Sequence, residues 1–164
     1  SMNEGGKNTK MAALQDALMD CPKPVVTVLT GTAPGGGAML ALLADACVAV
    51  DPAKLSLPEI DLGIATFSGA NILEVIGGRA LALDLIQSGR AMKATEALAR
   101  GLVREVALRD ELHLKASALG QALGAKNPRT FAENKRWLNR SLRAALLQAR
   151  DEHARHRALA QAEQ

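Results

Sequence analysis

The sequence predicts an α/β fold, a parallel β/α core followed by a C-terminal helical region. Three observations carry that prediction. Val25-Val26-Thr27-Val28-Leu29 and Ala46-Cys47-Val48-Ala49-Val50 are apolar on both faces, as strands covered on both sides should be. Between them stand a glycine loop and an alanine- and leucine-rich run at residues 38–44, so the order strand, helix, strand describes a crossover in a parallel sheet. Beyond Asp110 the apolar spacing is helical to the end of the chain. The expected division is a core over residues 1–109 and a helical region over residues 110–164 suited to oligomerisation.

Taken in order, Met11, Leu14, Ala17 and Leu18 recur at helical spacing, and Pro22 and Pro24 end that helix. The first strand empties into Gly31-Thr32-Ala33-Pro34-Gly35-Gly36-Gly37. After the buried helix and second strand, Asp51-Pro52 is a turn and residues 54–57 an extended piece that closes on Leu57-Pro58-Glu59. Asp45, at the join of helix and strand, is placed to accept hydrogen bonds from loop amides. Gly63, Gly69 and Gly77-Gly78 separate apolar stretches that predict two short helices over 70–76 and 80–87. A further helix begins at Thr95-Glu96 and stops at Gly101, and Leu102-Val103-Arg104-Glu105-Val106 reads as a strand. Leu112, Ala116, Leu119 and Leu123 line the next helix; Asn127-Pro128 supplies an N-cap with proline at the first helical position. Phe131 and Trp137 belong to that helix, and Leu142, Leu146 and Ala149 to the last.

Composition removes several function classes. Of 164 residues 48% are hydrophobic and 23% charged, the balance of a folded domain rather than a disordered chain. Phe67, Phe131 and Trp137 are the whole aromatic complement, too few to build a stacking platform for nucleic-acid bases. The net charge of +3 is carried largely by the last third, where a solvated helical face accounts for it. No apolar run approaches the ~20 residues of a membrane span, and the first six residues carry no apolar signal core. Cys21 and Cys47 form no C-x-x-C pair, which points to a reduced, cytoplasmic setting. Neither nucleic acid nor a membrane is expected as a partner, and no metal: His153 and His156, three apart, lack a third ligand.

The glycine run holds the chemistry. Three consecutive glycines before a helix leave backbone N–H groups uncovered where the helix dipole favours negative charge, the makings of an oxyanion hole. No Lys-Ser/Thr follows them, and no Gly-x-Gly-x-x-Gly with an acidic residue on the next strand end is present, so the spacing does not fit the usual nucleotide loops and gives phosphate binding little support. Tight helix-to-strand packing is the competing explanation for these glycines.

Pro22-Lys23-Pro24-Val25, the glycine run, Ala44-Asp45, Leu57-Pro58-Glu59 with Gly63, Gly78-Arg79-Ala80, Ser88-Gly89-Arg90 and Gly101-Leu102-Val103 together resemble the signature of the crotonase, or enoyl-CoA hydratase/isomerase, family over roughly residues 20–150. The resemblance implies a partial crotonase-like core, a ββα-type superhelix truncated at the N-terminus, since about twenty residues precede Pro22 and residues 3–7 do not supply the family's other oxyanion loop. It implies an acyl-CoA or other acyl thioester as substrate, no cofactor beyond that coenzyme A thioester, and a place in fatty acid metabolism. The thioester carbonyl is held by two backbone amides, of which the matching donor is Gly36, flanked in the substrate-binding loop by Gly35 and Gly37.

Of the two glutamates that hydratases of the family use, one position holds Met39 and the other, twenty residues on, holds Glu59. A thioether transfers no protons. The resemblance therefore implies an enoyl-CoA isomerase/hydratase-type enzyme, an isomerase or lyase, in which isomerase-type proton transfer fits a single carboxylate, with Glu59 the sole acid and base; a carboxylate capping the following turn is the alternative. Phe67, in a loop that departs from the family's pattern, adds bulk near the acyl site. Arg136, Arg140 and Arg143 are candidates for coenzyme phosphates or for a partner's carboxylates, beside the simpler reading of exposed helix charge. Two further readings stand beside the enzyme: an inactive assembly or binding module, and one subunit of a split enzyme. Each implies assembly, as a homo-oligomer (trimer or hexamer) or with a complementary subunit.

Overall fold

Five consecutive buried residues, Ala46–Val50, form the central strand of the molecule (β3), and everything else is placed by reference to it. The computed structural model describes residues 2–163, with side chains from Thr9 onward. β1 (Val26–Leu29) lies parallel to β3 with Val26 opposite Ala46, and β6 (Glu105–Ala107) lies parallel on its other side with Val48 opposite Glu105. α2 (Gly36–Leu43) makes the crossover between β1 and β3, as the sequence predicts. A second small sheet pairs β2 (Ala33–Pro34) in parallel with β4 (Lys54–Ser56), and β4 antiparallel with β5 (Met92–Lys93). β2 and β5 have two residues each, too few to show a period.

Two boundaries differ from expectation for physical reasons. The strand expected over residues 102–106 begins later, because α5 (Ala94–Ala99) ends at Gly101 in the left-handed region (φ 75°) and the amides of Leu102 and Val103 bond back to the Ala97 carbonyl. Pairing with β3 starts only at the Arg104 amide, 2.8 Å from the Cys47 carbonyl. Glu59 is not at a strand end but in a one-turn 3-10 helix, Pro58–Leu62, with proline at its first turn. Gly63 (φ 67°) closes it by donating to the Ile60 carbonyl, and the Ile64 amide donates to the Glu59 carbonyl. α1 spans Met2–Asp20, longer than its apolar stripe shows; the side chains of residues 3–7 lie outside those described.

Helices cover the sheets. α6 (Leu112–Gly124) packs on β1 and β3, and α3 (Phe67–Gly77) packs on both α4 (Arg79–Ser88) and α8 (Arg140–Ala162). Ile72, Leu73 and Leu146 are fully buried, and Asn71 Nδ2 donates to the Ala145 carbonyl at 2.7 Å, pinning α3 to α8. α7 (Pro128–Leu138) starts as predicted, with the Asn127 side chain accepting from the Thr130 amide at 3.0 Å. Arg90 donates to Asp84 and Glu96 at 2.6 and 2.8 Å, holding both carboxyls below the usual carboxylate range and tying α4 to α5.

Asp45 and Lys135 form the fold's buried ion pair. Lys135 is 5% exposed, and its Nζ donates to Asp45 Oδ2 at 2.7 Å and to the Lys23 carbonyl at 3.2 Å. The same Asp45 oxygen accepts from the Val25 amide at 2.8 Å, the kind of loop amide expected for it. One carboxylate therefore fixes α7 to the start of the strand that leads into the glycine loop.

Candidate active site

The glycine loop is shaped by Gly35. Its φ of 55° and ψ of −122° lie in a region that side chains disfavour, and its amide donates to the Ser56 carbonyl at 2.8 Å, binding the start of α2 to β4. Gly35 caps α2, its carbonyl accepting from Met39 N at 3.1 Å, so Gly36 and Gly37 occupy the first helical turn, where no intrahelical acceptor exists for their amides. Gly35, having no side chain, makes no side-chain cap to this end. The first-turn amides of α2 are thus donors of the kind an oxyanion needs, at the positive end of the helix dipole.

Glu59 stands over this turn. Its Oε1 would lie 3.2 Å from a Cβ at Gly35, and its Oε2 is buried without a hydrogen-bond partner among the described residues. A buried carboxylate oxygen left unsatisfied costs free energy unless something else meets it. Gly35→Ala is therefore expected to cost about 1–3 kcal/mol from backbone strain and to displace the Glu59 carboxylate; thermal denaturation and the acyl-CoA affinity of the variant check both. A stability and an affinity equal to those of the parent would refute it.

Glu59 and Met39 line one cavity of about 410 Å³ with α1, the loop after Gly63 and α8. Met11, Ala12, Met39, Ile64 and Ala65 give it an apolar lining; Gln15, Thr66, Ser68, Arg150, His153 and Arg157 give polar groups. Met11 also lies over Gly36, its methyl carbon 2.7 Å from where a Cβ there would stand. Met39 is buried, and its sulfur accepts from Gln15 Nε2 at 3.8 Å. Gln15, 3% exposed, accepts in turn from Arg150 Nη2 at 3.2 Å, and Arg150 grips Asp16 at 2.9 Å and the Ala12 carbonyl at 3.2 Å. A polar chain from α8 through α1 thus ends on the position where the family's first glutamate is expected.

Sequence reasoning did not find Gln15, Arg150, His153 and Arg157 as lining residues. Their one signal is that Arg150, His153 and Arg157 share a face of α8, at spacings of three and four. Phe67 does not line this cavity. Its ring meets His153 and His156 edge-on, with centroids 4.8 and 5.8 Å apart, and it borders a neighbouring cavity of about 320 Å³ with Ile60, Gly63 and Ile86. None of the three arginines considered for phosphates lines this cavity: Arg136 and Arg143 line another one together beside Cys21, where Arg143 pairs with Asp20, and Arg140 lies 4.2 Å over the Trp137 ring.

Burial, with Arg157 and His156 nearby, pushes the His153 imidazole below its ordinary value of 6.5. The unfolded chain then binds a proton at this site more readily than the folded one. Stability is expected to be full above pH 6.5 and to decline as pH falls through that value toward the lower folded one. Denaturation across pH 5–8 checks this, with His153→Gln flattening that part of the profile; a profile unchanged by the variant would remove His153 as its source.

Comparison with known proteins gives this arrangement its context. A profile described as enoyl-CoA hydratase/isomerase matches residues 2–163. A probable enoyl-CoA hydratase of Bacillus subtilis strain 168 is 39% identical over 122 residues, which make up 73% of this chain and 47% of that protein. The carnitinyl-CoA dehydratase of Salmonella typhi is 38% identical over 116 residues, 70% of this chain and 44% of that one. Among solved structures, an enoyl-CoA hydratase from Mycobacterium avium subsp. paratuberculosis K-10 has a TM-score of 0.79 at 29% identity, covering 87% of this chain and 62% of the other. A probable enoyl-CoA hydratase from Mycobacterium tuberculosis H37Rv shares the fold, with a TM-score of 0.83 at 24% identity over 91% and 64% of the two chains. The chain spans about half the length of the curated relatives it matches. With a parallel β/α core, a glycine-capped helix after its first strand and a profile match along nearly all its length, the chain belongs to the enoyl-CoA hydratase/isomerase, or crotonase, family.

Proposed function

We propose that this chain binds an acyl-CoA thioester at the open end of α2 and moves a proton on the acyl group through Glu59. The Gly36 amide donates to the thioester oxygen as negative charge develops there. In a β,γ-unsaturated acyl group Glu59 removes a proton from the α-carbon, the electron pair passes through the conjugated system to that oxygen as a dienolate, and the proton returns at the γ-carbon as the double bond moves to the α,β position, an isomerase-type shift. One observation carries the reading: a buried Oε2, without a hydrogen-bond partner among the described residues, on the carboxylate that overlies Gly35 and lines the cavity.

Calorimetric titration with coenzyme A and a short acyl-CoA tests the binding step. Saturable binding of the acyl-CoA is expected; none at millimolar ligand would end the reading for this chain.

A second reading, a non-catalytic module or one subunit of a split enzyme, has its own support. Met39 replaces a proton-transferring group, and Met11 crowds the space over Gly36. In either reading the chain assembles, with itself or with a complementary chain. Leu62, Leu114 and Leu138, each more than 70% exposed, favour this.

A further inference from the structure

The cavity holds two charged groups without an ion-pair partner among the described residues, and they differ in sign. Glu59 is one. The other is Arg157, an exposed residue of α8 that forms no ion pair with any described residue. Arg150, two turns back, is neutralised by Asp16 at 2.9 Å. His153, between them, stands edge-on to Phe67 and is held toward its neutral form. Arg150 and Arg157 are seven residues apart, so they sit about 10 Å apart along one helical stripe. Among the described residues the stripe thus presents one guanidinium without an ion-pair partner to a cavity whose walls carry Met11, Ala12, Met39, Ile64 and Ala65 beside its polar groups.

A guanidinium matches a carboxylate with two parallel hydrogen bonds, a match that a hydrocarbon terminus cannot make. Resting on the acyl-thioester reading above, we propose that Arg157 selects acyl thioesters whose acyl chain ends in a second carboxylate. The thioester carbonyl lies at the α2 end beside Glu59, the short methylene chain against the apolar wall, and the terminal carboxylate at α8. A substrate carboxylate placed beside Glu59 would be repelled, so the cavity has one orientation for such a ligand.

The test is calorimetric titration of the chain with two matched pairs, succinyl-CoA against butyryl-CoA and glutaryl-CoA against pentanoyl-CoA. At least one carboxylated ligand is expected to bind about tenfold tighter than its uncharged partner, equivalent to about 1.4 kcal/mol, with the preference shrinking as salt rises. Arg157→Gln should abolish the preference, the two members of each pair then binding alike, while Arg157→Lys should keep part of it. Equal affinities within both pairs would overturn the proposal and leave the acyl-thioester reading standing. A loss of the same factor for charged and uncharged ligands in Arg157→Gln would also overturn it, because the arginine would then be meeting coenzyme phosphates. If none of the four ligands binds, the reading beneath the proposal falls and the proposal with it.

Discussion

Replacing Lys135 with methionine is expected to destabilise the fold by about 3–5 kcal/mol, as breaking one partner of a buried ion pair does. The reason is what stays behind. Asp45, with a side chain 14% exposed, keeps its charge and loses the ammonium at 2.7 Å, leaving the Val25 amide as its remaining partner. For a domain of this size that loss lowers Tm by roughly 10 °C. The double variant Lys135→Met with Asp45→Asn should recover part of it, since a neutral amide still accepts from Val25 and carries no stranded charge. Urea and thermal denaturation of the two variants check this; a loss below about 1 kcal/mol in the single variant would place the pair with surface ion pairs. The consequence reaches the site, because β1 runs from Val25 to the glycine loop.

Glu59→Gln should have the opposite pattern, a large loss of function with no loss of stability. Glutamine keeps the shape of the side chain but cannot take up a proton, and a general acid/base group is worth roughly 10²–10⁴-fold in rate. Enoyl isomerisation is expected to fall by that factor, with acyl-CoA affinity changed less than about threefold, under ~0.7 kcal/mol. Because Glu59 Oε2 is buried and has no hydrogen-bond partner among the described residues, removing its charge should leave Tm equal or raise it, the trade expected where a site holds an unfavourable group for use. A fall in Tm would instead show that the carboxylate serves the turn it belongs to.

Much of this architecture is legible in the sequence because it rests on local patterns. The doubly apolar runs give β1 and β3, the near absence of polar groups gives α2, and Asn127-Pro128 marks the start of α7. The glycine run and Glu59 are readable by their fixed spacing and do meet in space, with Glu59 Oε1 over Gly35. The rest is set by contacts between distant segments. Gln15 and Arg150 are 135 residues apart, and nothing in either helix reports that they join behind Met39. Lys135 sits beside Arg136 in a basic stretch and reads as a solvent-facing residue, yet it is among the few buried polar groups, because Asp45 lies across from it. Phe67 reads as bulk for the acyl site, and the rotation of α3 turns it instead toward the two histidines of α8.

The most direct test of Glu59 as a proton-transfer group is exchange of the α-protons of butyryl-CoA in D2O, followed by proton NMR, which needs no turnover and no knowledge of the natural acyl group. With the unmodified chain the α-proton signal is expected to disappear at least a hundredfold faster than with Glu59→Gln. Equal rates in the two proteins, both at the level of buffer, would contradict the account.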